Sequence, residues 1–521
     1  VTKDPFERLQ GRLLGVWRDI EEGAARDHTS VIVPSLTFDQ EELAKIRGIP
    51  FYEERLLFSL IRLRDPRARV VYVTSQPLHP EIVDYYIGLL QGMPQRAARS
   101  RLLLLSLNDA SPRPLTQKIL ERPRVVRRIR EALGDPRRAY LTVFNTTALE
   151  RELALALEIP LNGVDPALSL LGTKSGSREV FEEAGVDHPA GENGVHTESE
   201  ILGALCRLRE RRPRLRRAVV KLDKSFAGAG NAIFRYPRSL PEGRRPCREA
   251  LAGSLERLDL NAADEGCGHY LEQLRRMGGI VEEFIEHEGM HSPSVQVRIN
   301  PNRTIQVLSS HEQVLGGELG QTYLGCRFPA ESRYRDDIQT DAMRVAEVLR
   351  DRGVIGRFGV DFVTWPTTEG WETRAIEINL RMGGTTHPFL ALQFLTRGTT
   401  DEKTGLFRAS DGTSKFYIAT DNLRSPRYHG LLPEDFTDIL ARRQLGFDPG
   451  TETGPVFHMI GALSQFGKVG VTCIGNSPQE SVEIYERVVK ILDEEGGEYD
   501  DRSGPFHPYE IPIADTISRM E

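Results

Sequence analysis

Strict alternation of apolar and polar residues in two neighbouring stretches constrains this chain more than any other feature. They are Arg357-Phe358-Gly359-Val360-Asp361-Phe362-Val363 and Ala375-Ile376-Glu377-Ile378-Asn379-Leu380-Arg381, with the polar turn Thr367–Gly370 between them. A period of two marks strands whose faces meet different surroundings. Glu377, Asn379 and Arg381 fall on one face, Ile376 and Ile378 on the other. An antiparallel hairpin then brings Asp361 onto the polar face. Two carboxylates and an amide oxygen converging there suit a hard cation such as Mg²⁺ bridging nucleotide phosphates. Arg381 adds a fixed fork of donors for a phosphoryl group. A merely solvated charged face is the competing reading, but the tight backbone of Gly383 and Gly384 follows at once.

Lysine is scarce, ten of the 68 basic residues, and three of the ten lie in one candidate nucleotide site: Lys174, Lys221 and Lys224. Lys221 stands on the predicted strand Ala218–Leu222, before the glycine-rich turn Ser225-Phe226-Ala227-Gly228-Ala229-Gly230. A lysine ammonium and exposed turn N–H groups together bind phosphate, and small residues let the main chain approach. Alone this is weak, because glycine hairpins are common and neither G-x-G-x-x-G nor a Walker A pattern is completed. The stretch Gly279–Glu286 reads equally as an edge strand or as a hinge whose backbone meets an adenine edge while carboxylates take its amino group or the ribose. His287-Glu288-Gly289-Met290-His291 fits the H-E-x-x-H zinc signature, which requires a helix. Here it lies between strands and is followed by Pro293, so a polar loop is expected.

A length of 521 residues suggests roughly three or four domains. Residues 1–168 alternate strands (Thr29–Leu36, Val70–Thr74, Arg101–Leu107, Tyr140–Phe144) with helices (Glu81–Leu90, Pro114–Leu133, Thr147–Leu157), the pattern of a doubly wound parallel sheet. Residues 169–395 read as antiparallel strands with alternating polarity, interrupted by a polar helical insertion at 237–275. A smaller α/β unit follows at 396–521, with strands near Phe416–Ala419 and Gly470–Ile474 and a helix Pro478–Asp493 capped by Ser477. The overall class is α/β (α+β).

The formal charge of −7 argues against a dedicated nucleic-acid binder. An arginine cluster, Arg207 to Arg217, reads as a solvated helix and loop. No apolar run is long enough to span a membrane, and the stretch around Asp4, Glu7 and Arg8 carries no secretion-signal core. Five scattered cysteines, an odd number with no C-x-x-C, argue against a disulfide framework or a Cys-rich zinc site, and the cytoplasm is the expected compartment.

Taken in order, these motifs resemble the ATP-grasp superfamily of ligases over nearly the whole chain. The resemblance implies that Lys174 and Lys221 hold ATP phosphates, with Ser225, Gly228 and Gly230 in the covering loop. It further implies that Glu282, Glu283 and Ile285 form the adenine hinge, that Asp361, Glu377 and Asn379 bind Mg²⁺ (Mn²⁺ as a substitute), and that Arg381 is catalytic. Glu286 and Glu288 compete for the ribose. Residues 1–168 stand in for the family's pre-grasp domain, and 169–395 for its catalytic domain. Ser309-Ser310-His311-Glu312-Gln313-Val314-Leu315-Gly316-Gly317, Phe457–Leu463 and Phe466–Gly475 are similar to the pheganomycin-type peptide ligases. Such a ligase activates a carboxylate as an acyl phosphate and couples it to the amine of an amino acid or peptide. A thiol acceptor, or a nucleotide-binding regulator without ligase activity, is the alternative on the same fold. Gly316–Gly325 is the expected cover over the intermediate. The partners implied are small-molecule acids and amines, not nucleic acid or membrane, and a homodimer is allowed.

Overall fold

Four apolar runs fold as β1 (His28–Val33), β2 (Ala68–Thr74), β3 (Leu102–Ser106) and β4 (Ala139–Val143), an all-parallel sheet in the order β3-β2-β1-β4. The structure is a computed structural model describing residues 4–23, 26–44, 46–225, 230–241, 243–260, 266–316, 322–401 and 404–497. Val31, Val33 and Val71 pack with Ile129, Leu153 and Leu157 on one side. Ile32, Val70 and Tyr72 pack with Leu57, Ile82 and Tyr86 on the other. Both faces are covered, as a doubly wound parallel sheet requires. The helix expected at Pro114–Leu133 is two, Leu115–Leu120 and Pro123–Ala132, because Pro123 lacks an N–H and restricts the residue before it. Among the elements with no sequence forecast is a 16-residue 3₁₀ segment, Ile49–Arg64, far longer than such segments usually run.

The second sheet is antiparallel and five-stranded: β5 (Gly191–Val195), β6 (Arg217–Leu222), β7 (Asn231–Arg235), β8 (Asp259–Leu260) and β9 (Gly279–Glu283), ordered β5-β9-β6-β7-β8. The 237–275 region contributes helix Arg244–Leu251 and the start of Cys267–Met277, both packed with helix Glu198–Arg211 in one core. Here the cysteine reading is corrected. Cys206 and Cys247 form a disulfide with Cα atoms 6.0 Å apart. Packing of one helix on another brings them together, which linear spacing could not reveal. The neighbouring arginines are spent on carboxylates: Arg207 and Arg211 on Glu192, Arg212 on Glu283, Arg217 on Glu286.

The third sheet holds β10 (Pro293–Ile299), β11 (Ile305–Gly316), β12 (Thr322–Phe328), β13 (Gly356–Thr367) and β14 (Gly370–Asn379). After the short ribbon β15 (Thr399–Thr400) and β16 (Phe407–Arg408) come β17 (Phe416–Arg424), β18 (Gly454–His458) and β19 (Lys468–Gly475). The eight strands run β14-β13-β10-β11-β12-β17-β19-β18, so strands beyond residue 396 continue the same sheet. Helix Pro478–Glu495, capped by Ser477, packs on it. Among the described residues no helix is long and apolar enough to cross a membrane.

Candidate active site

Lys174 opens helix Lys174–Ala184, where the Thr173 hydroxyl accepts from the N–H of Gly176 at 3.0 Å and fixes the first turn. Its ammonium crosses to the third sheet and meets the Glu377 carboxylate at 2.5 Å, with the Ser225 carbonyl at 3.3 Å. On β6, Lys221 shares a face with Glu282 of the adjacent β9 and forms an ion pair with it. Arg178 holds the same carboxylate from behind at 3.2 Å. Ser225 is buried, but its hydroxyl donates to the Leu222 carbonyl at 3.1 Å rather than toward the cavity. Gly230 packs so tightly that a Cβ there would lie 2.3 Å from that of Ser225. Gly228 lies outside the described residues.

The hairpin pairs Asp361 with Glu377 and Gly359 with Asn379, as the alternation requires. A bulge after Asp361 skips Ile376, which lines the cavity instead of turning to the opposite face. Asp361 accepts from the Gln313 amide at 2.9 Å and the Asn379 amide at 3.0 Å. Burial, and then the Glu377 charge, push its carboxyl up to about 6. The half-buried Asp361 carboxylate beside the Glu377 carboxylate and the Asn379 amide offers oxygens that a divalent cation would satisfy. Arg381 falls just beyond the end of β14. It still lines the cavity, its guanidinium over the Phe38 ring at 5.3 Å and donating to the Met382 carbonyl at 3.2 Å.

The carboxylates of the expected hinge have partners of their own. The Glu282 carboxylate is engaged by Lys221 and Arg178, and that of Glu283 by the Ala190 N–H at 2.9 Å and by Arg212. Both carboxylates are thus paired, and Glu282 to Ile285 line the cavity. Glu286 is turned to Arg217, and Glu288 is exposed. The zinc reading fails on geometry. His287 stacks on Trp365 at 4.3 Å, while His291 bridges to Thr364 and faces Glu312 at 3.4 Å. The expected cover is narrower than Gly316–Gly325, since Leu315 pairs with Tyr323 and Gly316 with Thr322. Residues 317–321 lie outside the described residues.

Lys174, Lys221, Glu282, Glu283, Ile285, Asp361, Glu377, Asn379 and Arg381 line one cavity of about 780 Å³, with Ser225 and Gly230 outside its lining, and it continues to an end that sequence reasoning missed. There Arg47, Tyr52 and Arg55 meet Asp421, Arg424 and Lys468. Arg55 bonds one oxygen of Asp421 at 3.0 Å, while His458 and His387 face the other at 2.7 and 3.2 Å. Among the described residues these two histidines and Asp421 are the one group of three His, Cys or carboxylate side chains close enough to share a metal ion. The Arg55 guanidinium already neutralises the carboxylate, and Lys468 lies nearby, so a divalent cation would meet like charge there. No sequence signal could have found this cluster, whose members lie hundreds of residues apart.

An ATP-binding ligase fold is what two antiparallel sheets closing on such a cavity define. The family described as IQCH-like ATP-grasp matches residues 166–240 and 266–403, and the PGM1 C-terminal domain matches 435–488. The L-propargylglycine–L-glutamate ligase of Streptantibioticus cattleyicolor is 32% identical over 471 residues, covering 89% of this chain and 94% of that protein. IQ motif-containing protein H of Danio rerio is 23% identical over 527 residues, 92% of this chain and 49% of that protein. An N5-carboxyaminoimidazole ribonucleotide synthetase with ADP superposes with TM-score 0.51 at 12% identity, over 90% of this chain and 98% of that one. The biotin carboxylase domain of Hydrogenobacter thermophilus 2-oxoglutarate carboxylase gives TM-score 0.53 at 12% identity, over 91% and 96%. The chain belongs to the ATP-grasp superfamily, and within it to the carboxylate–amine ligases of the pheganomycin type.

Proposed function

We propose that this ligase activates its acid as an acyl phosphate on the face made by Asp361, Glu377, Asn379 and Arg381, then couples it to the amine of an amino acid or peptide. The observation that carries the reading is the pairing of Asp361 with Glu377 within one cavity that also holds Lys174 and Lys221. Lys174 and Lys221 bind ATP phosphates by exchanging their present carboxylate partners for phosphate oxygens. The main chain of Glu283 to Ile285 meets the adenine. Asp361, Glu377 and Asn379 hold Mg²⁺, which when bound neutralises charge on the phosphate oxygens.

A carboxylate oxygen of the acid attacks the γ-phosphorus and ADP departs. Arg381 takes up negative charge that develops on the transferred group. The amine, arriving neutral, attacks the acyl carbon; phosphate leaves and the surplus proton is lost to solvent. Phe38, Leu315 and Leu324 in the cavity wall favour exclusion of water, which would otherwise hydrolyse the intermediate. The cytoplasm, with its ATP and Mg²⁺, suits this chemistry. The L-propargylglycine and L-glutamate of the relative's name support free amino acids as substrates here. Incubating acids and amines with ATP, and assaying ADP release alongside product mass, tests the reading. Acid- and amine-dependent ADP release with an amide product is expected. A thioester product would move the acceptor to a thiol, and ATP binding without turnover would favour a regulator.

A further inference from the structure

The far end of the cavity carries more positive charge than the phosphoryl-transfer chemistry uses. Among the described residues lining it, one carboxylate, Asp421, faces the cations of Arg47, Arg55 and Lys468. That carboxylate is already taken by Arg55, His387 and His458. Lys468 is 4% exposed, yet its ammonium donates only to neutral oxygens, the Arg47 carbonyl at 3.3 Å and the Tyr52 hydroxyl at 3.2 Å. A buried ammonium that bonds no carboxylate directly is costly, and burial holds Lys468 down at about 8 although the Asp421 charge acts on it from beyond bonding distance. Such a group is built for an anion that arrives from outside.

Two further observations say what kind of anion. Arg55 lies over Phe144 at 5.1 Å, Phe144 meets Phe38 edge-on at 6.2 Å, and Arg381 lies over Phe38 at 5.3 Å. The cationic end is thus separated from Arg381 by one pair of rings, room for a small molecule reaching from one to the other. The segment that supplies Arg47 and Tyr52 also turns Leu43, Ile46 and Ile49 to the same cavity. Charge for a carboxylate stands beside an apolar wall.

We propose that Arg55 and Lys468 bind the free, non-reacting α-carboxylate of an amino-acid substrate whose apolar side chain rests on Leu43, Ile46 and Ile49. This rests on the ligase reading above for the role of substrate, but binding itself is measurable without nucleotide. Asp421, held by the two histidines, positions Arg55.

The test is calorimetry on the intact chain, without ATP, using a panel of free L-amino acids and their carboxamides. At least one apolar amino acid should bind, its carboxamide at least tenfold more weakly, since the amide cannot pair with the cations. Lys468→Met, similar in length and apolar, should lose binding by a like factor; circular dichroism and a separate ATP titration report whether it is folded. If that variant does not fold, the wild-type comparison decides alone. Carboxamides binding as tightly as the acids, or no amino acid binding at millimolar concentration, would overturn the proposal. Amino-acid binding in a protein that never releases ADP would instead sink the ligase reading and leave this site standing. Once turnover is measured, the substrate whose KM rises in Lys468→Met, the acid or the amine, is the one held here.

Discussion

Asp361 and Glu377 differ in what steadies them. Glu377 has the Lys174 ammonium, whereas Asp361 has amide and hydroxyl donors and a carboxyl held up to about 6. Glu377→Gln and Asp361→Asn preserve shape, so both variants should fold, yet ligase turnover should fall by at least roughly 10²-fold, the scale for losing one preorganised electrostatic group. Arg381→Lys should be comparably poor, because an ammonium cannot reproduce the fork. Near-normal turnover in all three folded variants would move the chemistry elsewhere. Glu54 makes a separate prediction. Burial pushes its carboxyl from the ordinary 4.5 to about 8, against a bond from the Gly461 N–H. The folded protein therefore holds a proton that the unfolded chain has released. Stability should fall as pH rises from about 4.5 to 8 and lose no more from this group above that. Glu54→Gln should raise the melting temperature at pH 9 relative to wild type, with the gain shrinking toward pH 5. An equal gain at both pH values would refute this assignment.

Strands 13 and 14 were legible because alternation survives burial on one face only, and the turn at Thr367–Gly370 fixed their register. Ile376 was misplaced, since a bulge leaves no mark in a period of two. Lys174 and Lys221 were legible through their scarcity and their place beside glycine turns. The engagement of Glu282 and Glu283 was not, because their partners Arg178, Lys221 and Arg212 come from other elements. Arg55 and Lys468 were beyond reach for the same reason, and the 3₁₀ segment carrying Arg55 has neither the 3.6 nor the 2.0 period that pattern reading detects. Helix Lys174–Ala184 allows a direct check of how far an element positions a site residue. Thr173→Ala removes the cap and should cost about 1 kcal/mol of stability. It should also weaken ATP binding, because Lys174 is the first helical residue. If stability falls while ATP affinity is unchanged, the helix start does not aim the lysine.

Ligand binding should be visible in the stability of the whole chain. ATP with Mg²⁺ at about 100 times its dissociation constant should add roughly 2.7 kcal/mol and raise the melting temperature. GTP should do less if the Glu282–Ile285 main chain reads an adenine edge. No shift with either nucleotide across the millimolar range would remove the nucleotide site.

The eight-stranded sheet has one further consequence. Asp361 and Lys468 belong to a single hydrogen-bonded raft, so the phosphoryl end and the cationic end cannot drift apart without tearing backbone ladders. Among the described residues the five-stranded sheet shares no ladder with it. Polar ties on its side of the cavity include the largely buried Lys174–Glu377 pair and a bond from the Ala375 N–H to the Asp187 carbonyl, and, to the parallel-sheet region, the exposed Arg276–Asp39 pair. Exposed pairs of this kind hold with about 0–1 kcal/mol each. Admission of nucleotide should therefore be a jaw movement of β5–β9 against a fixed anvil. Hydrogen exchange should slow on ATP binding mainly in β6 and β9, while β12, β17 and β19 exchange alike with and without it. Equal slowing in both sheets would mean that the anvil moves too.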